Sequence, residues 1–493
     1  MDANQQLRTL LKKIGPGKMS NLSYDTAWIA RLGEINYELS NNALAWLSEN
    51  QLPDGSWGAA SPYYYHDRVI STLAAMIVLM RRGRRTQDRK QLEDGLLALE
   101  RITHGATRGL QADPNGATVG FEMIAPTLVE EAESLGIIKQ QGDRILGRHS
   151  KARVYKLEML HGMKIDRTMT HAFSSEMAGT DGQHILDVEN LQEVNGSVGN
   201  SPSATAYYAL QLHPGDARAL EYIQRSIDIN GGAPNVAPFD VFEPAWTLWN
   251  ISLLGLPDEE TMNLCKPHLD KLVSHWKPGA GIGHASEYTP KDSDDTALVY
   301  ELFRRFGYPV DIQAVLSYEE ETHFRCFALE ANPSISANIH VLGALKAAGF
   351  DSEHPAVLKV LKFLKGNRLD ERFWFDKWHA SPYYPTAHAI IAAHGLDNDM
   401  CLDAMSWIVE TQNPDGSWGY YRTPTAEETT YCLQALMYWE QNGGKVLQRR
   451  IEMGINWLLE NQVGPYPPLW IGKGLYCPEN VIQSAILSVL AAQ

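Results

Sequence analysis

Gln51-Leu-Pro-Asp-Gly-Ser-Trp57-Gly58 and Gln412-Asn-Pro-Asp-Gly-Ser-Trp418-Gly419 are near-copies of one motif set in opposite halves of the chain. Each follows a helical pattern that carries a tryptophan near its end, Trp46 in the first copy and Trp407 in the second. The chemistry of the motif is that of a stapled helix-turn. Asp-Gly makes the tight turn, the Gln amide can bond free backbone groups at a helix end, and the Trp ring covers the junction. A weaker echo is Gln192-Glu-Val-Asn-Gly-Ser197. One such unit cannot bury its apolar face alone, so repeats of it close into α/α barrels or stack as solenoids. The rest of the chain agrees with this. Segments 42–50, 68–80, 296–306, 335–348, 400–411 and 427–439 place apolar residues three and four apart between short Gly/Pro/Asp loops, and no βαβ alternation with Gly-rich turns occurs. The predicted fold class is all-α, and the repeat itself is read as structural.

Composition narrows the function. With 493 residues and 44% hydrophobic content, the chain can bury full cores in about two or three domains. A net charge of -16 argues against a nucleic-acid partner, which needs concentrated Lys and Arg. The five cysteines, Cys265, Cys326, Cys401, Cys432 and Cys477, show no CxxC spacing and fit a reduced compartment without structural zinc. The N-terminal MDANQQLRTLLKKIGPGK has no apolar core of signal-peptide length, and the apolar run 70–80 is too short to span a bilayer. A cytoplasmic protein with no transmembrane segment is expected. Arg81, Arg82, Arg84 and Arg85 end that run and read as a solvated basic loop.

The segment Asp292-Ser-Asp294-Asp295 crowds three carboxylates into four residues just before a helical pattern. Like charges so close cannot all ionise cheaply, so at least one proton is held to higher pH. A carboxylic acid kept protonated in a dry cavity is what an alkene demands, because carbon is a poor base. The plainer reading of the same string is an acidic helix cap favoured by the helix dipole.

The companions of that string decide between the readings. Ser23-Tyr24-Asp25-Thr26-Ala27-Trp28, Gly120-Phe121-Glu122, Asn195-Gly-Ser197 followed by Asn200-Ser-Pro-Ser-Ala-Thr205-Ala, and Asn230-Gly-Gly-Ala-Pro-Asn235-Val accompany the repeat and the DxDD string. In order and spacing the whole resembles the class II diterpene cyclases, from about residue 7 onward, and most of all their short bacterial members that make halimadienyl and kolavenyl diphosphates. The resemblance implies two α/α barrels: a β domain from residues 1–30 and 249–493, and an inserted γ domain from 31–248, with the active site between them. It implies that Asp294 is the general acid, with Asp292 and Asp295 polarising it. It also implies Mg2+ near the γ domain, with Glu122 and Asp113 as the carried-over ligands and Lys164 and Arg167 as cationic partners of the diphosphate.

The same resemblance bears on how the reaction ends. Members that stop at the copalyl skeleton use a His and an Asn to hold the water that acts as base. Asn235 is retained, whereas the segment His171-Ala-Phe-Ser-Ser-Glu176 sets Phe173 or Ser174 where the imidazole would sit. Loss of an early base lets the bicyclic cation survive through hydride and methyl shifts. His340 falls near the expected acid and either orients Asp294 or accepts a late proton. Aromatic candidates for shielding the cation are Trp28, Tyr207, Trp246, Trp249, Trp374 and Trp378. No DDxxD cluster is present. The expected reaction is therefore cyclisation of geranylgeranyl diphosphate with the diphosphate retained, giving kolavenyl diphosphate first, halimadienyl or copalyl diphosphate otherwise, for a separate class I synthase to ionise. A squalene-hopene type cyclase and a non-catalytic α/α binding scaffold are the competing readings.

Overall fold

The computed structural model describes residues 2–104, 116–139, 142–147 and 149–493. It is helical, with one two-residue hairpin in which Trp470–Ile471 pairs antiparallel with Leu475–Tyr476. In the C-terminal half, six helices close a ring: Phe242–Leu253, Ser293–Arg305, Ile335–Ala347, Tyr383–Ala393, Ala426–Gln441 and Glu479–Ala491, each packed on the next and the last on the first. These inner helices are buried over most of their surface, and every residue of Phe242–Leu253 and Tyr383–Ala393 is buried. Helices of the outer layer show the one-sided pattern instead. Glu259–His275 buries Thr261, Cys265, Leu269 and Leu272, a single stripe that lies against the ring.

A second, smaller ring is built from Ser23–Ala30, Tyr65–Arg82, Phe121–Ser134, the 3-10 turn Ser175–Ala178 and Pro202–Tyr207. Two separate apolar cores follow from the two rings. One gathers Leu7 to Leu22 with Val236 to Val489, and the other Tyr24 to Ala233. Relative to a division drawn at residues 30 and 248, Tyr24–Ala30 packs in the smaller core and Val236–Leu248 in the larger.

The repeat staples the inner and outer layers. Trp57 Nε1 donates to Leu47 O and Trp418 Nε1 to Ile408 O, both at 2.8 Å, while their backbone N–H groups donate to Thr72 and Thr429 Oγ1 at 3.0 Å. Gln51 and Gln412 each donate to the turn (Gly55 and Gly416 O) and to the next helix (Gln91 and Arg450 O). Gly416 has φ +97° and an added Cβ would lie 2.4 Å from Met453 backbone, so the turn admits only glycine. A further copy lacks the motif but keeps the geometry: Trp374 Nε1 donates to Leu364 O at 2.8 Å and its N–H to Thr386 Oγ1 at 3.2 Å.

All five cysteines are buried and unbridged. The basic run after Tyr65–Arg82 is partly paired, Arg81 with Glu131 and Arg85 with Asp88. Among the described residues, no helix is long and apolar enough to cross a membrane.

Candidate active site

A cavity of about 820 Å³ opens between the two cores. Its walls come from the smaller core through Gly116–Gly120, Glu122, Lys156 and His171, and from the larger through Phe242, His284, the three aspartates and Trp470. All three of Asp292, Asp294 and Asp295 reach it.

Asp292 is the N-cap of Ser293–Arg305, and its Oδ1 accepts the Asp295 N–H at 2.7 Å. The cap and the acid cluster are thus one feature, not rival readings. Asp292 Oδ2 and Asp295 Oδ1 are buried without hydrogen-bond partners among the described residues. Burial pushes the Asp292 carboxyl up to about 7; the Asp295 N–H pulls it down by less, and the neighbouring Asp294 charge adds a still smaller upward push. Burial, then Asp292, then Asp294 push Asp295 well above the usual carboxylate range. The cluster therefore holds protons at neutral pH, and Asp294, with 14% of its side chain exposed, faces the cavity.

His340 stands on Ile335–Ala347, the next helix of the ring, with Nδ1 2.5 Å from Asp294 Oδ1. That helix is locked at its start. Asp376 accepts the Ile335 and Ser336 N–H groups and the Ser336 hydroxyl, while Asn338 binds both the N–H and the C=O of Phe324 at 2.9 Å. Ser336, Asn338 and Asp376 so fix the azimuth at which His340 meets Asp294.

Asn235 also lines the cavity, its Oδ1 accepting the Lys473 N–H at 3.2 Å and its Nδ2 buried without a partner among the described residues. An imidazole nonetheless reaches the cavity from the same segment. Phe173 is buried off the wall and the Ser174 hydroxyl turns to Glu176, but the 3-10 turn His171–Phe173 aims His171 into the cavity, stacked on Tyr288 at 5.3 Å and beside His284. Burial, then His284, then Lys473 hold His171 well below the usual imidazole range, so it is neutral.

Several expected ligands are placed differently. Lys164 and Arg167 are solvent-exposed and off the cavity wall. The lysines that line the wall are Lys156, paired with Glu122, and Lys377, paired with Glu330. Asp113 lies outside the described residues. Glu122 is on the wall, but its carboxylate is engaged by an ammonium, and among the described residues no group of three or more His, Cys, Asp or Glu could hold a metal ion. The described residues thus do not fit the Mg2+ that the resemblance implied. Of the aromatic candidates only Trp378 lines the cavity. Trp246 stacks behind Phe242 at 3.9 Å, and Trp28, Tyr207, Trp249 and Trp374 belong to the cores. The rings on the wall include Phe239, Phe242, Trp470 and Tyr476.

An acid cluster opening into an aromatic-walled chamber between two α/α rings defines a terpene cyclase of the protonating type. Residues 325–467 match the squalene-hopene cyclase C-terminal domain model. Over 492 residues the chain is 49% identical to a type B diterpene cyclase of Mycobacterium tuberculosis, covering 99% of this chain and 98% of that one. It is 27% identical to the (+)-kolavenyl diphosphate synthase of Herpetosiphon aurantiacus, over 99% and 96% of the two chains. The solved ent-copalyl diphosphate synthase from Streptomyces platensis superposes with a TM-score of 0.79 over 99% of both chains at 27% identity. The chain belongs to the class II diterpene cyclases. It is an enzyme of the diterpene cyclase type to which the copalyl and kolavenyl diphosphate synthases belong.

Proposed function

We propose that the protein cyclises geranylgeranyl diphosphate to a rearranged bicyclic diphosphate, kolavenyl diphosphate by preference, with Asp294 as the acid. The single observation that carries this reading is the carboxyl of Asp294 on the cavity wall, bonded to His340 and flanked by two buried carboxyls that retain protons. In the initiating step the Asp294 proton adds to the terminal alkene, the alkene electron pair forms the new C–H bond, and the carboxylate left behind is stabilised by the His340 N–H. The cation then passes between ring faces such as Phe242 and Trp470, each contributing about 0.5 to 2 kcal/mol without offering a nucleophile.

Lys156 and Lys377 are the cationic side chains that would hold the diphosphate, exchanging their carboxylate partners for phosphate oxygens. His171 and Asn235, both on the cavity wall, would hold a water that takes the terminal proton, with the neutral His171 accepting it, after hydride and methyl shifts have moved the cation. The diphosphate stays attached, so a separate ionising synthase consumes the product. Turnover of geranylgeranyl diphosphate in D2O, followed by dephosphorylation and mass spectrometry, tests the reading. It requires a bicyclic C20 alcohol carrying one deuterium, with farnesyl diphosphate and squalene poor substrates. A deuterium-free product, or a hydrocarbon with the diphosphate lost, would count against it, and the skeleton distinguishes kolavenyl from halimadienyl or copalyl products.

A further inference from the structure

His388 is a buried imidazole that the initiating step does not use. It stands on Tyr383–Ala393, the ring helix next to the one that carries His340, and its Nδ1 lies 2.9 Å from His340 Nε2. His340 in turn presents Nδ1 to Asp294. Three side chains on three consecutive inner helices thus form one hydrogen-bonded row that ends at the cavity wall. The His388 ring lies flat on Trp249 at 4.7 Å and against Tyr384 and Tyr431, and its Nε2 has no partner among the described residues.

Each bond in such a row dictates the next. A neutral imidazole offers one proton and one lone pair. Burial, then His340 and His379, hold His388 far below the usual imidazole range, so the ring is neutral. Its proton sits either on Nδ1, inside the bond to His340, or on Nε2, where nothing accepts it. An orphaned buried N–H is the rarer and costlier arrangement, whereas a bare ring lone pair among aromatic faces is tolerated. His388 Nδ1–H therefore donates to His340 Nε2. That nitrogen is then an acceptor, so the His340 proton is on Nδ1 and is donated to Asp294 Oδ1. With Oδ1 receiving an N–H, the acid's own proton belongs on Oδ2, to which no described residue is hydrogen-bonded.

We propose that His388 is a positioning residue: by fixing the tautomer of His340, it keeps the transferable proton of Asp294 on Oδ2, the oxygen that His340 does not engage. The proposal rests on the reading of Asp294 as the acid, and the two fail separately. In 15N-histidine-labelled wild-type protein, NMR should show His340 protonated on Nδ1 and bare on Nε2, whatever the activity. His388→Phe keeps the stack on Trp249 but cannot donate. It is expected to lower kcat about 10- to 100-fold, part of the 10²–10⁴ that a positioned acid contributes, with KM nearly unchanged. His388→Asn, whose amide nitrogen falls near Nδ1, should recover kcat to within a few-fold. A His340 proton found on Nε2, a Phe variant with wild-type kcat, or an Asn variant no better than Phe would each overturn the role of His388. An active Asp294→Asn variant would instead remove the acid assignment while leaving the tautomer result standing.

Discussion

Lys473→Met should loosen the seam between the two rings. The Lys473 ammonium, with the whole side chain buried, lies 2.6 Å from Glu176 Oε1 and 2.7 to 2.9 Å from the hydroxyls of Ser174, Ser201 and Ser203, four oxygens that share its three N–H groups. Glu176 is equally buried. Removing one partner of such a pair leaves an uncompensated charge and costs about 3–5 kcal/mol. With an unfolding entropy of about 1 kcal/mol/K for a chain of this length, the melting midpoint should fall by about 3–5 °C in calorimetry at pH 7.5. Burial alone would raise the Glu176 carboxyl, but Lys473 and the Ser174 hydroxyl outweigh it and hold it below the usual range. A depressed carboxylate stabilises the fold above its unfolded value of 4.5 and loses that contribution as pH falls through the folded value, so the deficit of the variant should shrink below about pH 4.5. The double variant Lys473→Met, Glu176→Gln should regain at least half of the loss, because no buried charge remains. KM should rise as well, since the Lys473 hairpin brings Trp470 and Tyr476 to the cavity. An unchanged midpoint in the single variant, or no recovery in the double, would refute this account of the seam.

Asp292→Asn should stabilise the protein at pH 8 while reducing turnover. A carboxyl raised from 3.8 to about 7 contributes stability that is present below pH 3.8 and lost as pH rises through 7, so the amide should raise stability at pH 8 by about 1–3 kcal/mol and bring no gain at pH 4, read from urea titrations. Lys156→Ala and Lys377→Ala should each raise KM about tenfold or more in steady-state kinetics, with a smaller effect on kcat. A kcat loss at unchanged KM would place these lysines in the chemistry rather than in diphosphate binding.

The parts legible in the sequence were those written in local chemistry. The Asp-Gly turn, the Gln amide and the covering Trp are neighbours in the chain, so two copies announced the α/α architecture; the Trp374 copy escaped because it kept the tertiary bonds and lost the turn residues. The acid cluster was legible for the same reason, and His340 through its spacing within the resemblance. What depends on packing was not. Lys156 and Lys377 look like any surface lysine until the two cores bring them to one wall, and Lys164 and Arg167 look the same in the sequence but stay exposed. His171 reaches the cavity from the 3-10 turn His171–Phe173, too short for a periodic pattern to show which of its three side chains faces inward. Trp470 and Tyr476 reach the cavity from a hairpin too short for any periodic signal. His388 reads as one more apolar-face residue on a helix, and only its distance from His340 sets it apart.

The proton itself is open to the most direct measurement. Asp294→Asn keeps the volume of the side chain and an acceptor for His340, but an amide has no proton to give an alkene. Incubated with geranylgeranyl diphosphate, a folded Asp294→Asn variant should bind substrate with near wild-type affinity and turn over at least about 10³-fold more slowly. A variant that kept a tenth or more of wild-type turnover would contradict the assignment of Asp294 as the acid.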